Sequence, residues 1–187
     1  NSEKMTSESF DKKTKKLPTK QNNMNYTLED IENSEEQSNV VYSVIAKIKE
    51  WIEFQQNKNR NPEIKFRPLF LTIQGAGGTG KSRTINVIVT IIEQIFPTEK
   101  VSVVSAPTGA AAYNIGGSTC HKQFAIRARN ATKELSNKSK NQLSKTLKHM
   151  LVMIIDERSL LSMEILGACE RNTRECCHGR RAAQSTK

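Results

Sequence analysis

The stretch Leu69–Ser82, LFLTIQGAGGTGKS, decides how this chain is read. Leu69-Phe70-Leu71-Thr72-Ile73 reads as a buried strand, and Gly75-Ala76-Gly77-Gly78-Thr79-Gly80-Lys81-Ser82 satisfies G-x-x-x-x-G-K-[ST] at every fixed position. Glycines in such a loop let the backbone turn with positive φ and lay successive N–H groups against phosphate oxygens. On that reading Lys81 bridges the β- and γ-phosphates of ATP and the Ser82 hydroxyl ligates the accompanying Mg²⁺. The helix that follows aims its positive end at the same anion. The fixed positions arise by chance in on the order of 0.01 chains of this length at average glycine usage. A strand before and a helix after supply the context a true phosphate loop requires.

Working outward, Ile85, Ile88, Ile92 and Ile95 mark one face of the following helix, and Pro97 ends it. Val101-Ser102-Val103-Val104 predicts a second buried strand that delivers Ala106-Pro107-Thr108-Gly109 at its C-terminal edge, where parallel α/β sheets place ligands. Ala110–Tyr113 reads as a helical turn, Gly116-Gly117 breaks it, and Ser118–His121 starts another turn towards Phe124. Leu143, Leu147 and Met150 suggest a helix reaching a third strand, Leu151–Ile155. Its wholly apolar character predicts a central parallel strand covered on both faces. Leu160, Leu161, Met163 and Leu166 could extend as a further helix; residues 171–187 read as a basic tail of unclear structure, whose end RRAAQSTK has no core-forming pattern.

Upstream, Ser34-Glu35-Glu36-Gln37 is a capping-box pattern ahead of Val41, Val44, Ile45, Ile48 and Ile52, predicting a helix to about Phe54. Residues 1–32 are polar and short of aliphatic side chains, which predicts a disordered tail. Within it Lys12-Lys13-Thr14-Lys15-Lys16 is compatible with nuclear import, and a solvated lysine cluster explains it equally. The first residue is Asn1, so a longer parent chain is expected.

The strand Leu151–Ile155 ends in Asp156-Glu157. An acidic pair there, downstream of a phosphate loop, is the second half of an NTPase site: Asp156 holds Mg²⁺ and Glu157 polarises the attacking water as general base. The competing reading is a plain acidic strand-to-loop turn.

Net charge is +10, from 29 Lys and Arg against 19 Asp and Glu in 187 residues, with a pI near 9.6. The excess lies in the C-terminal part, which favours a polyanionic partner such as nucleic acid, with a merely solvated basic surface as the competing reading. Mean hydropathy is −0.59, and no apolar run approaches the roughly 20 residues of a membrane-spanning helix; no membrane partner is expected. The cysteines at 120, 169, 176 and 177 form no C-x-x-C pair, so reduced thiols are expected instead of a zinc site.

Three segments together carry a resemblance: IQGAGGTGKS, SAPTGAAAYNIGGSTCHKQF and LVMIIDERS look like the first three motifs of Pif-type DNA helicases of superfamily one, a pattern shared by Helitron-like helicases. The middle motif is the most specific. The resemblance covers about Ser34 to Ser159 and implies a three-layer α/β RecA-like ATPase domain with a parallel sheet. It implies further that Gln37 contacts adenine, with helix capping as the local alternative. Pro107, Thr108 and Gly109, with Thr119, His121 and Lys122 in the turn to Phe124, match the family's single-stranded DNA contacts. Exposed N–H groups, hydroxyls and nearby Lys122, Arg127 and Arg129 suit a phosphate backbone.

The implied activity is ATP-dependent unwinding of duplex DNA with 5′ to 3′ movement, in genome maintenance such as telomere upkeep, repair and recombination, or in transposition. The nucleus is the expected compartment, with the mitochondrion second. Two departures matter: Arg158 stands where the family has an apolar residue, and no G-D-x-x-Q-L-P-P sequence or second RecA-like domain follows. An arginine finger from that domain is therefore missing, and the expectation is nucleotide binding with poor hydrolysis. The alternatives are a truncated relative that binds ATP and single-stranded DNA without unwinding, and a P-loop ATPase with a substrate other than nucleic acid.

Overall fold

The computed structural model describes residues 19–21, 24–61, 63, 65–128 and 130–184. It divides into two compact units, Asn1–Pro97 and Thr98–Lys187.

The first unit opens with a hairpin of β1 (Thr19–Gln21) and β2 (Met24–Tyr26), paired antiparallel with Thr19 opposite Tyr26. The Thr27 N–H donates to an Asp30 carboxylate oxygen at 2.7 Å, closing a single 3-10 turn that buries Ile31. Within the tail expected over residues 1–32, the described residues 19–21 and 24–31 thus hold a hairpin and a capped turn on an apolar anchor. Its first half, with the Lys12–Lys16 cluster, lies outside the described residues.

Helix α1 (Glu35–Asn57) starts where Ser34 Oγ accepts from the Gln37 N–H at 3.4 Å. Val41 and Ile48, two turns apart, are its buried contacts. Further along, Trp51 meets Phe96 edge-on at 6.2 Å between ring centroids, and Phe54 lies 5.8 Å from Phe66. Helix α2 (Lys81–Ile95) packs against α1 and the hairpin. Its predicted face of Ile85, Ile88, Ile92 and Ile95 is buried, and so are Val87, Val89 and Ile91. Burying each such side chain contributes about 1.5–3 kcal/mol.

One expectation fails here. Leu69–Ile73 forms no strand, and Leu69, Phe70 and Leu71 are exposed, Phe70 by 91%. A strand needs a ladder partner, and within this unit the described strands β1 and β2 pair with each other.

The second unit holds the sheet. It contains β3 (Ser102–Ala106), α3 (Gly109–Asn114), β4 (Ser118–Thr119), α4 (Cys120–Gln123), α5 (Asn137–Thr146), β5 (Val152–Ile155) and α6 (Met163–Gln184). The order is β4-β3-β5, all parallel, with Ala106 opposite Thr119 and Ser102 opposite Val152. Side chains alternate across β3. Val103 joins a core with Cys120, Phe124, Leu143, Leu147, Ala168 and Cys169, drawn from α4, α5 and α6. Val104 and Ala106 instead meet Ala112 and Ile115 of the α3 segment. Helices therefore cover both faces of a parallel sheet, the α/β class expected of a RecA-like domain.

Three details differ from the sequence reading. β3, not β5, is central in this sheet; β5 pairs with β3 on one side, and Met153 is 40% exposed. Ser118-Thr119 is a short strand instead of a helical turn, and Gly117 makes its approach possible, because a Cβ there would sit 2.5 Å from the Val104 carbonyl oxygen. Finally, α6 runs through residue 171 without a break, with Asn172 and Cys176 buried. Small and polar side chains seal that face by hydrogen bonding, which an apolar-periodicity reading does not detect.

Candidate nucleotide and nucleic-acid sites

In the first unit, residues 75–80 make a tight turn that feeds straight into α2. Gly78 and Gly80 adopt φ of 80° and 83°. The positive φ is what favours glycine at Gly80, where a Cβ would lie 2.7 Å from the movable Gln37 amide. The Thr79 hydroxyl donates to the Ala76 carbonyl at 2.9 Å and braces the turn from inside. Sequence reading did not assign this brace, although a hydroxyl bonding back within a glycine-rich turn is a known turn-forming device.

Lys81 opens α2 and folds over the loop, its ammonium donating to the carbonyls of Gly75 at 2.8 Å and Ala76 at 2.7 Å. Ser82 follows in the first turn of the same helix, exposed. Gln37 closes the group. Its side chain does not complete a capping box; its Nε2 donates to the Thr79 carbonyl at 2.9 Å, while the Ser34 N–H is taken by the Ile31 carbonyl at 2.9 Å. The unit thus brings Gln37, Gly75, Ala76, Thr79, Gly80 and Lys81 into one hydrogen-bonded group.

In the second unit, the parallel sheet carries its polar residues at the C-terminal edge. Pro107 and Thr108 leave β3 there, Thr119 ends β4 beside Ala106, and the Asp156 N–H donates to the Ser105 carbonyl at 2.9 Å just past β5. Thr108 Oγ1 accepts from the Ala111 N–H at 3.2 Å ahead of Gly109, and Thr119 Oγ1 accepts from the Lys122 N–H at 3.4 Å. Each hydroxyl accepts in its cap and keeps its own hydrogen to donate outward. Lys122 is exposed and His121 half-buried beside it. Tyr113, 78% exposed on α3, is an aromatic that sequence reading left without a role.

At the acidic pair, Glu157 holds φ 51°, an uncommon left-handed conformation for a residue with a side chain. An Asp156 carboxylate oxygen accepts its N–H at 2.8 Å and steadies that turn. Arg158 begins a 3-10 turn, and its guanidinium reaches the Met163 sulfur at 3.9 Å. Among the described residues no three His, Cys, Asp or Glu side chains are grouped to hold a metal ion, and no helix is long and apolar enough to cross a membrane.

A family model described as PIF1-like helicase matches residues 34–184. The chain is similar to the ATP-dependent DNA helicase RRM3 of Saccharomyces cerevisiae, 35% identical over 103 residues, which make up 54% of this chain and 14% of that protein. It is also similar to the ATP-dependent DNA helicase PIF4 of Trypanosoma brucei brucei, 40% identical over 99 residues, covering 50% of this chain and 12% of that protein. A further relative is the ATP-dependent DNA helicase PIF1 of Saccharomyces cerevisiae, 33% identical over 98 residues, covering 49% and 11%. The chain therefore spans between 11% and 14% of the length of these relatives. No solved structure matches it significantly.

Proposed function

Because the chain belongs to the PIF1-like helicase family, we propose that it carries the ATP-binding part of an ATP-dependent DNA helicase moving 5′ to 3′. The observation that carries this reading is the Gln37 bond to Thr79. It joins a side chain suited to recognise a base directly to the loop suited to hold phosphate.

The donor chemistry fits a nucleotide. Gly78 and Gly80 at positive φ let backbone N–H groups face an anion, the N-terminus of α2 points positive, and Lys81 supplies a mobile cation. Ser82 on the loop of the first unit and, separately, Asp156 at the strand end of the second are each an oxygen donor of the kind Mg²⁺ takes, and the ion would neutralise charge on the phosphates. Glu157, whose backbone makes the left-handed turn after β5, would be the general base for the attacking water. At the edge of the second unit, Pro107, Thr108, Gly109, Thr119, His121 and Lys122 form the surface for single-stranded DNA, with the Gly109 N–H, the Thr108 and Thr119 hydroxyls, the His121 ring and the Lys122 ammonium as donors and Pro107 as a contact surface. A role in maintaining nuclear or mitochondrial DNA belongs to the same proposal.

Steady-state ATP hydrolysis with Mg²⁺, with and without single-stranded DNA, tests it against a Lys81→Ala control. Stimulation by DNA that disappears in the control is the expected result. Equal hydrolysis with and without DNA would favour an ATPase with another substrate, and undiminished turnover in Lys81→Ala would sink the loop assignment.

A further inference from the structure

Tyr113 has no use in the chemistry above, and the fold makes little use of its ring. The inner side of the α3 segment is supplied by Ala112 and, just past the helix, Ile115, which close on Val104 and Ala106 of β3. Tyr113 lies outside that cluster and is 78% exposed. A phenol ring left in water gains nothing from burial in this unit, so its value lies in what it can meet from outside.

Its neighbours along the helix place it. Thr108 leads into α3, and Thr108, Gly109 and Ala110 are all exposed. Residues three and four apart share a helix face, so Tyr113 stands on the same face as Gly109 and Ala110. A helical residue covers the turn that precedes its own Cα. For Tyr113 that is the turn carrying Gly109, next to the Thr108 hydroxyl. The turn is bare: nothing lies within 4 Å of where a Cβ at Gly109 would stand. A flat side chain with an open approach therefore sits one helical turn from a hydroxyl whose hydrogen is free to donate.

We propose that Tyr113 stacks against a base of single-stranded DNA whose backbone follows the sheet edge. The inference rests on the DNA-binding reading above and adds a base contact to it. Thr108, Thr119 and Lys122 meet the phosphates, which every sequence shares, and the ring meets the flat face, which every base has. The net charge of +10 draws the strand in, and the ring rewards only a strand whose bases are unstacked and free to turn towards it.

Binding of the full chain to a fluorescently labelled oligothymidylate is measured by anisotropy, beside a strand of the same length in which the sugars carry no base. Tyr113→Ala is expected to weaken oligothymidylate binding by about five- to 150-fold, the range for one stacked base. Tyr113→Phe keeps the ring and should bind like the native chain. On the strand without bases, the native chain and Tyr113→Ala should bind alike. The salt slope should stay unchanged in Tyr113→Ala, because no phosphate contact is lost. Equal affinity of Tyr113→Ala and the native chain for oligothymidylate would overturn the proposal, as would an equal loss on the strand without bases. Weakened binding in Lys122→Ala beside unchanged binding in Tyr113→Ala sinks the stack alone; a native chain that binds no single strand sinks the DNA-binding reading and the stack with it.

Discussion

Replacing Gln37 by Ala removes the amide that donates to Thr79 at 2.9 Å. A hydrogen bond of this kind contributes about 1 kcal/mol, so ATP affinity measured by calorimetry is expected to fall by roughly fivefold. Comparison with GTP separates two origins of that loss. An equal fall for both nucleotides means the amide only steadies the loop, and a larger fall for ATP means it also touches adenine. Glu157→Gln keeps the shape of the left-handed turn while removing the base. Nucleotide binding should stay unchanged while turnover drops by about 10²-fold or more, and lost binding would count against this role. Most of these residues were legible in the sequence because each is tied to a motif of fixed spacing. The partner of Gln37 was not, since Thr79 lies 42 residues away and a local cap offered the same side chain an equally good acceptor pattern.

At the scale of elements, the weak point is the approach of β4 to β3. In Gly117→Ala the new methyl would lie 2.5 Å from the backbone oxygen of Val104, and neither strand can shift without losing the pairing of Ser105 with Ser118. A loss of about 1–3 kcal/mol is expected, seen as a thermal midpoint lowered by several degrees. Strands β3 and β5 were readable because an unbroken apolar run has few other uses. The same signal misled at Leu69–Ile73, where composition called for a strand but a ladder also needs a neighbour. Helix α6 failed in the opposite sense: Asn172 and Cys176 bury themselves by bonding to Phe124 and Lys140 carbonyls, so hydropathy alone hides its inner face.

For the whole molecule, a net charge of +10 is the property that nucleic acid would feel first. Lys122, Lys138 and Lys145 are exposed on the second unit. Binding of single-stranded DNA is therefore expected to weaken linearly in a log–log plot against salt, with a slope of about −0.7 for each phosphate neutralised. A flat plot would mean that the charge is merely solvated. Lys122→Ala should weaken binding and make that slope shallower by about one phosphate, which separates a contact at this edge from a diffuse attraction. Charge was fully legible from composition. The division into two units was not, because it depends on which apolar faces find each other.

The folded-back position of Lys81 has a further consequence. Its ammonium already has two oxygen partners, the carbonyls of Gly75 and Ala76 at 2.8 and 2.7 Å. An incoming anion enters as a rival acceptor and must replace both to gain the full charge. An oxyanion such as a phosphate group carries enough oxygens to offer the ammonium two acceptors in one exchange.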